Sequence, residues 1–129
     1  MVIVDSNVWI HWLRMPNTDV GREFVRLLDS HQVSMAGVVL AEVLQGAGRE
    51  PEFNRLRVLL AALPYLETTK QTWVRAGELA MHLRGQGRLI PLTDMIIAGL
   101  ALEGDHQVFT LDEHFQRVPG LTLYEAKAG

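Results

Sequence analysis

Met1-Val2-Ile3-Val4-Asp5-Ser6-Asn7-Val8-Trp9 is the stretch around which the chain is organised. Met1 to Val4 is a continuous apolar run rich in β-branched residues, the pattern of a central parallel strand covered on both faces. Asp5 ends it. Val8, Trp9, Trp12 and Leu13 then recur at helical spacing, with Ser6 or Asn7 available as the cap. Asp5 therefore falls at the carboxyl end of a strand and the amino end of a helix, where open α/β sheets bind their ligands. An acid at a helix N-terminus also answers the helix dipole. Asp5 alone leaves both readings open, and the other acids must decide between them.

Outward from that stretch, Pro16-Asn17-Thr18-Asp19 is turn and cap material, and Val20 to His31 follows as an amphipathic helix carrying Phe24, Val25, Leu27 and Leu28. Val33 to Ala36 reads as a second strand. Gly37 breaks it from Val38 to Leu44, a run apolar except for Glu42. A carboxylate in a helix that buries most of its surface is normally paired or coordinates a metal, and a salt bridge to an Arg is the competing reading. Glu50 to Ala62 is a further helix, with Pro51 early and Leu56, Leu59, Leu60 and Leu63 as its apolar set. Pro64 ends it, Tyr65 to Thr68 suggests a short strand, and Thr72 to Arg84 a helix closed by Gly85-Gln86-Gly87. Those glycines lack the rest of a phosphate-loop pattern and read as a cap and turn.

Leu92-Thr93-Asp94 opens a helix that is apolar nearly all round through Leu102, with Gly104 suited to its C-terminal cap. Asp94 stands in its first turn. Gln107 to Thr110 is the next strand, Asp112 lies just past its carboxyl end, and Leu121 to Tyr124 makes a last edge strand. No internal repeat, low-complexity tract or linker interrupts the pattern. Strands alternating with helices predict a parallel sheet of about five strands with helices on both faces, a three-layer α/β sandwich.

The 129 residues are 48% hydrophobic and 21% charged, within the range of one domain with its own core, so residues 1–129 are expected to form a single domain. With no Cys there is neither a disulfide framework nor a thiolate metal site. No basic and apolar leader precedes the first strand, which leads us to expect a cytoplasmic protein. The apolar runs fall short of the roughly 20 residues of a membrane span, so no membrane partner is expected. The net charge of −3 looks wrong for a polyanion. Setting aside Asp5, Glu42, Asp94 and Asp112, however, leaves eleven acids against twelve Lys and Arg. Charge therefore permits a nucleic-acid partner without demanding one.

Four carboxylates converging without counterions would repel and raise one another's pKa values. Hard divalent cations resolve this. Mg²⁺ prefers oxygen ligands and keeps several waters, which suits an open carboxylate cluster better than Zn²⁺ would. The five His residues show no metal-ligand spacing, and His11 and His114, although near the acidic motifs, are left out of the candidate site. Ten of the twelve basic residues are Arg, and Arg22 with Arg26, or Arg84 with Arg88, share an i, i+4 face that could meet phosphate or simply be solvated. A phosphoryl-acceptor receiver module also clusters acids at strand ends. It would need a Lys after a late strand, and neither Lys70 nor Lys127 is placed there.

VIVDSN, an acid within LAEVLQG, PLTDMIIAGLA and FTLDEHF, in that order, resemble the PIN-domain family, and specifically the VapC-type toxin ribonucleases of type II VapBC toxin-antitoxin pairs. The resemblance covers nearly the whole chain. It implies a Mg²⁺- or Mn²⁺-dependent endoribonuclease that cleaves RNA and so inhibits translation and growth. It also implies a homodimer, neutralised by a cognate antitoxin, with the potential for a higher toxin-antitoxin assembly. By that match Asp5, Glu42, Asp94 and Asp112 are the catalytic and metal-binding quartet, with Ser6, Asn7 and Thr110 as polar companions. The alternative is a catalytically silent RNA-binding or interaction module on the same fold. Trp9 and Trp12, three apart on the first helix, suit either the core or a partner interface.

Overall fold

The computed structural model describes residues 1–125. In chain order it consists of β1 (Val2–Val4), α1 (Ser6–Arg14), α2 (Asp19–Asp29), β2 (Val33–Ala36), α3 (Gly37–Gln45), α4 (Glu50–Ala61), β3 (Tyr65–Leu66), α5 (Lys70–Gly85), α6 (Leu92–Gly104) and β4 (Gln107–Phe109). A 3₁₀ turn follows over Glu113–Arg117. The strands form one parallel sheet in the order β3-β2-β1-β4. Side chains of a strand alternate between faces, yet every residue of β1 and β2 is buried, so both faces of the sheet centre are covered. The continuous apolar runs at Val2 and Val33 produce this.

From β1 the chain steps through β2 to β3 on one side, whereas β4 pairs with β1 on the other. The reversal opens a crevice at the carboxyl ends of β1 and β4, the topological switch point of such sheets. Asp5 and the segment Thr110–Asp112 emerge there. A fifth strand is reduced to one parallel bridge, Val108 to Leu123, in which Val108 N donates to Thr122 O at 3.1 Å and Tyr124 N donates to Val108 O at 2.8 Å. β4 has only three residues, so it offers its outer neighbour little more than Val108.

The helical layers pack as α1 against α2 and α3, α3 against α4, and α5 against α6. α6 is the most enclosed: Met95 to Ala101 are all buried, as the unbroken apolar pattern predicts. Trp9 is fully buried, with ring centroids 4.6 Å from Phe24 and 6.2 Å from the half-buried Trp12, in edge-to-face arrangements. Both tryptophans therefore belong to the core around α1 and α2. A Cβ at Gly37 would press on the Tyr65 hydroxyl, the far end of an exposed side chain that can turn aside, whereas a Cβ at Gly21 in α2 would run into the Pro16 backbone carbonyl, so Gly21 is the position that requires glycine.

Caps account for most differences from the expected boundaries. The cap of α1 is Asp5 itself, whose Oδ1 accepts from Ser6 N at 2.8 Å, and Ser6 and Asn7 lie inside the helix. α5 begins at Lys70 because Thr69 and Thr72 close a reciprocal capping box. α6 ends on Asp105 at φ 53°, with Gly104 as its last helical residue. No helix of the described residues is long and apolar enough to cross a membrane.

Candidate metal centre

Asp5 is held from three sides. Its backbone N–H donates to Phe109 O at 2.8 Å, continuing the β1–β4 pairing past the end of the strand. Oδ1 accepts from Ser6 N, and Oδ2 accepts from the Thr110 hydroxyl at 2.8 Å. Thr110 Oγ1 in turn accepts from Asp112 N at 3.0 Å and Asn7 Nδ2 at 3.3 Å, while Asn7 Oδ1 accepts from Leu111 N at 3.2 Å. The loop after β4 is thus stitched to the first turn of α1. Asn7 and Thr110 bind Asp5 and Asp112 into one frame.

α6 brings Asp94 to the same place from its first turn, and α3 brings Glu42 from its last. Burial is the main cause that raises the pKa of Asp5, opposed by Thr110 and Ser6 and reinforced by Asp112. Glu42 is raised by burial and then by Asp5, with a further contribution from Asp94 and partial relief from the Ser6 side chain. Asp94 is raised by burial, with His114 opposing and Asp5 and Asp112 adding repulsion. Asp5, Glu42 and Asp94 therefore each feel another of the expected acids, Asp112 acts on Asp5 and Asp94, and the four converge. Among the described residues none of them pairs with Lys or Arg, so the Arg salt bridge weighed for Glu42 is not formed. A partly buried set of carboxylate oxygens without Lys or Arg partners suits a hard divalent cation.

His114, left out on sequence grounds, lies inside the cluster. Its Nδ1 is 3.2 Å from Asp94 Oδ2 and 3.1 Å from Asp112 Oδ2, and its backbone N–H donates to Asp112 Oδ1 at 2.9 Å. Only the i, i+2 spacing on a short turn capped by Asp112 hinted at this. An open cavity of about 530 Å³ meets the cluster at Asp112 and His114, and Asn7, Leu111, Glu113 and Arg117 complete its lining. Arg117 is the basic residue the structure puts beside the site, and it was in neither candidate pair. Arg22 and Arg26 instead make helix ion pairs with Asp19 and Glu23 at 2.6 and 2.5 Å. Arg88 lies beyond the end of α5, so the helical face expected for Arg84 and Arg88 does not exist. Lys70 opens α5, and Lys127 lies outside the described residues.

Residues 2–121 match the family model for the PIN domain. The chain belongs to the PIN domain family. Similar PIN-domain proteins include ribonuclease VapC18 of Mycobacterium tuberculosis, 28% identical over 124 residues that span 92% of this chain and 88% of the relative. Ribonuclease VapC2 of Rickettsia felis is 22% identical over 126 residues, or 94% of each chain. Among solved structures, VapBC2 of Rickettsia felis bound to a promoter DNA fragment superposes with a TM-score of 0.80 at 20% identity, covering 96% of this chain and 98% of that one. VapC20 of Mycobacterium tuberculosis, a sarcin-ricin loop cleaving toxin, superposes with a TM-score of 0.70 at 16% identity over 96% and 98%. The parallel sheet with its flanking helices is therefore a PIN fold.

Proposed function

We propose that this chain, as one PIN domain over residues 1–129, is a metal-dependent endoribonuclease that acts in the cytoplasm as the toxin of a VapBC-type toxin-antitoxin pair. In this reading it cleaves RNA, inhibits translation and growth, and is neutralised by a cognate antitoxin. The carrying observation is that Asp5, Glu42, Asp94 and Asp112 converge at the β1/β4 switch point of a PIN fold with no Lys or Arg to balance them. The relatives named as VapC ribonucleases and the likeness to VapBC complexes support the toxin part.

Asp5, Asp94 and Glu42 are the main ligands for Mg²⁺ or Mn²⁺, directly or through water, and Asp112 holds the outer edge of the site. A cation held by these residues would supply activation of water for attack on the phosphodiester and would offset charge on the leaving oxygen. Thr110 and Ser6 fix the Asp5 carboxylate so that both oxygens keep a lone pair for the site, and Asn7 secures the loop that carries Asp112. The open cavity beside Asp112 gives the RNA strand access, with the Arg117 side chain on its rim.

A groove between α1, α3 and α4, floored by Ile10, Leu13, Val43 and Leu56 and flanked by Arg14 and Glu52, supports an antitoxin segment as a partner, and Met15 is exposed beside it. A homodimer belongs to the same reading. The purified protein is expected to cleave RNA with Mg²⁺ or Mn²⁺ and not in excess chelator, and sequencing RNA ends after brief induction identifies the target. Co-expressed antitoxin is expected to form a stable complex and restore growth. Cleavage undiminished by chelator would remove the mechanism. A catalytically silent module is disfavoured because all four acids are retained in one cluster.

A further inference from the structure

The geometry points to His114 as a nitrogen ligand of the metal centre, which joins Asp94 and Asp112 in a cation position that favours Mn²⁺ over Mg²⁺. The inference rests on the metal-dependent reading above and adds to it a residue and a metal preference. Asp94, Asp112 and His114 each offer one ligand atom, and these atoms lie within 4.8 Å of one another. The His114 Nδ1 is nearly equidistant from the two carboxylate oxygens, at 3.2 and 3.1 Å. Two ligands in adjacent octahedral positions, each about 2.1 Å from a cation, stand about 3 Å apart, so these spacings match one edge set of a hexacoordinate ion.

The local structure holds the three atoms in place. His114 N anchors Asp112 Oδ1, which leaves Oδ2 as the oxygen facing the ring. Asp94 is fixed in the first turn of the fully packed helix α6, with its side chain only 13% exposed, and Phe115, next to His114, is buried in the core. The ring itself is 41% exposed and borders the open cavity, so a hydrated cation has a path to it. Nδ1 lies within hydrogen-bond distance of both carboxylates. A cation held at Nδ1 would need that atom unprotonated, with the ring proton on Nε2.

Carboxylates alone serve Mg²⁺ well, whereas an imidazole nitrogen adds more for Mn²⁺ than for the harder, more strongly hydrated Mg²⁺. Removing the ring should therefore cost more affinity for Mn²⁺ than for Mg²⁺. A hydrogen-bonding role that merely orients Asp94 and Asp112 would weaken both ions alike.

Pulsed EPR of the full chain with Mn²⁺ alone reads this directly. Wild type should show the ¹⁴N coupling of a directly bound imidazole, converted to ¹⁵N coupling by selective histidine labelling. His114→Gln should lose that coupling, and the control His82→Gln should keep it. Calorimetric titration should give a Kd for Mn²⁺ raised about tenfold or more in His114→Gln, with a much smaller change for Mg²⁺. The wild-type spectrum needs no variant, so instability of His114→Gln would not obscure the answer. Tight Mn²⁺ binding without nitrogen coupling, or equal losses for both ions, would overturn the His114 assignment and leave the carboxylate site standing. Folded wild type that binds no Mn²⁺ would overturn both.

Discussion

Thr110 is the residue on which the geometry of the site turns. Its hydroxyl donates to Asp5 and accepts from Asp112 N and Asn7, so one small side chain fixes two of the four acids. Thr110→Val keeps the shape and removes the hydroxyl. We predict a stability loss of about 1–3 kcal/mol in denaturant titration, from the hydrogen bonds left unmade, and a loss of cleavage of about 10- to 100-fold from a loosened Asp5. Thr110 could be picked out in the sequence only as a polar neighbour of Asp112. His114 and Arg117 were missed because a 3₁₀ turn at the end of a short strand has too little periodicity to show where its side chains point.

The acids themselves give a pH signature. Burial and mutual repulsion raise the pKa values of Asp5, Glu42 and Asp94 above those of the unfolded chain. The folded state thus holds these protons more tightly than the unfolded state does. Their contribution to stability is fully present below the ordinary carboxylate range and is lost as the pH rises through the raised folded values. In chelator, wild type should therefore lose more melting temperature than Asp94→Asn as the pH rises from the ordinary aspartate value of 3.8 toward neutral. Parallel pH profiles for the two proteins would deny that Asp94 is held in a repulsive cluster.

At the scale of elements, the periodic segments were legible and their ends were not. α6 was evident from Met95 to Leu102 because a helix apolar all round has to be buried, and Ile97 is indeed fully enclosed. Ile97→Ala should cost about 2–5 kcal/mol in equilibrium unfolding, since close packing around the helix prevents the cavity from collapsing. Boundaries moved where side chains competed to cap. Asp5 took the cap expected of Ser6 or Asn7, and Asp105 took the left-handed position expected of Gly104. The capping box of α5 gives a smaller test: Thr69→Ala should destabilise by about 0.5–2 kcal/mol in the same assay. The last strand was legible as an apolar segment, but its pairing depends on how much edge β4 presents, which is set by strand length rather than by local pattern.

The whole molecule explains why acids so far apart in sequence meet. Parallel order places β1 beside β4, the switch point opens between them, and α3 and α6 deliver Glu42 and Asp94 to its mouth. The sequence motifs were readable because each acid interrupts an apolar element or stands at one of its ends. Their convergence, however, is a property of the strand order. The central claim is that this convergence is a metal site and not a set of structural charges.

Thermal melts of wild type and Asp94→Asn, each with chelator and with Mn²⁺, test that claim most directly. If the cluster is repulsive without metal, Asp94→Asn in chelator should be at least as stable as wild type. Mn²⁺ that binds only the native state should stabilise wild type by about 2.7 kcal/mol at a hundredfold excess over its Kd, and the variant much less. A loss of about 3 to 5 kcal/mol in metal-free Asp94→Asn, as for a broken buried ion pair, together with no Mn²⁺ shift in wild type, would contradict the account.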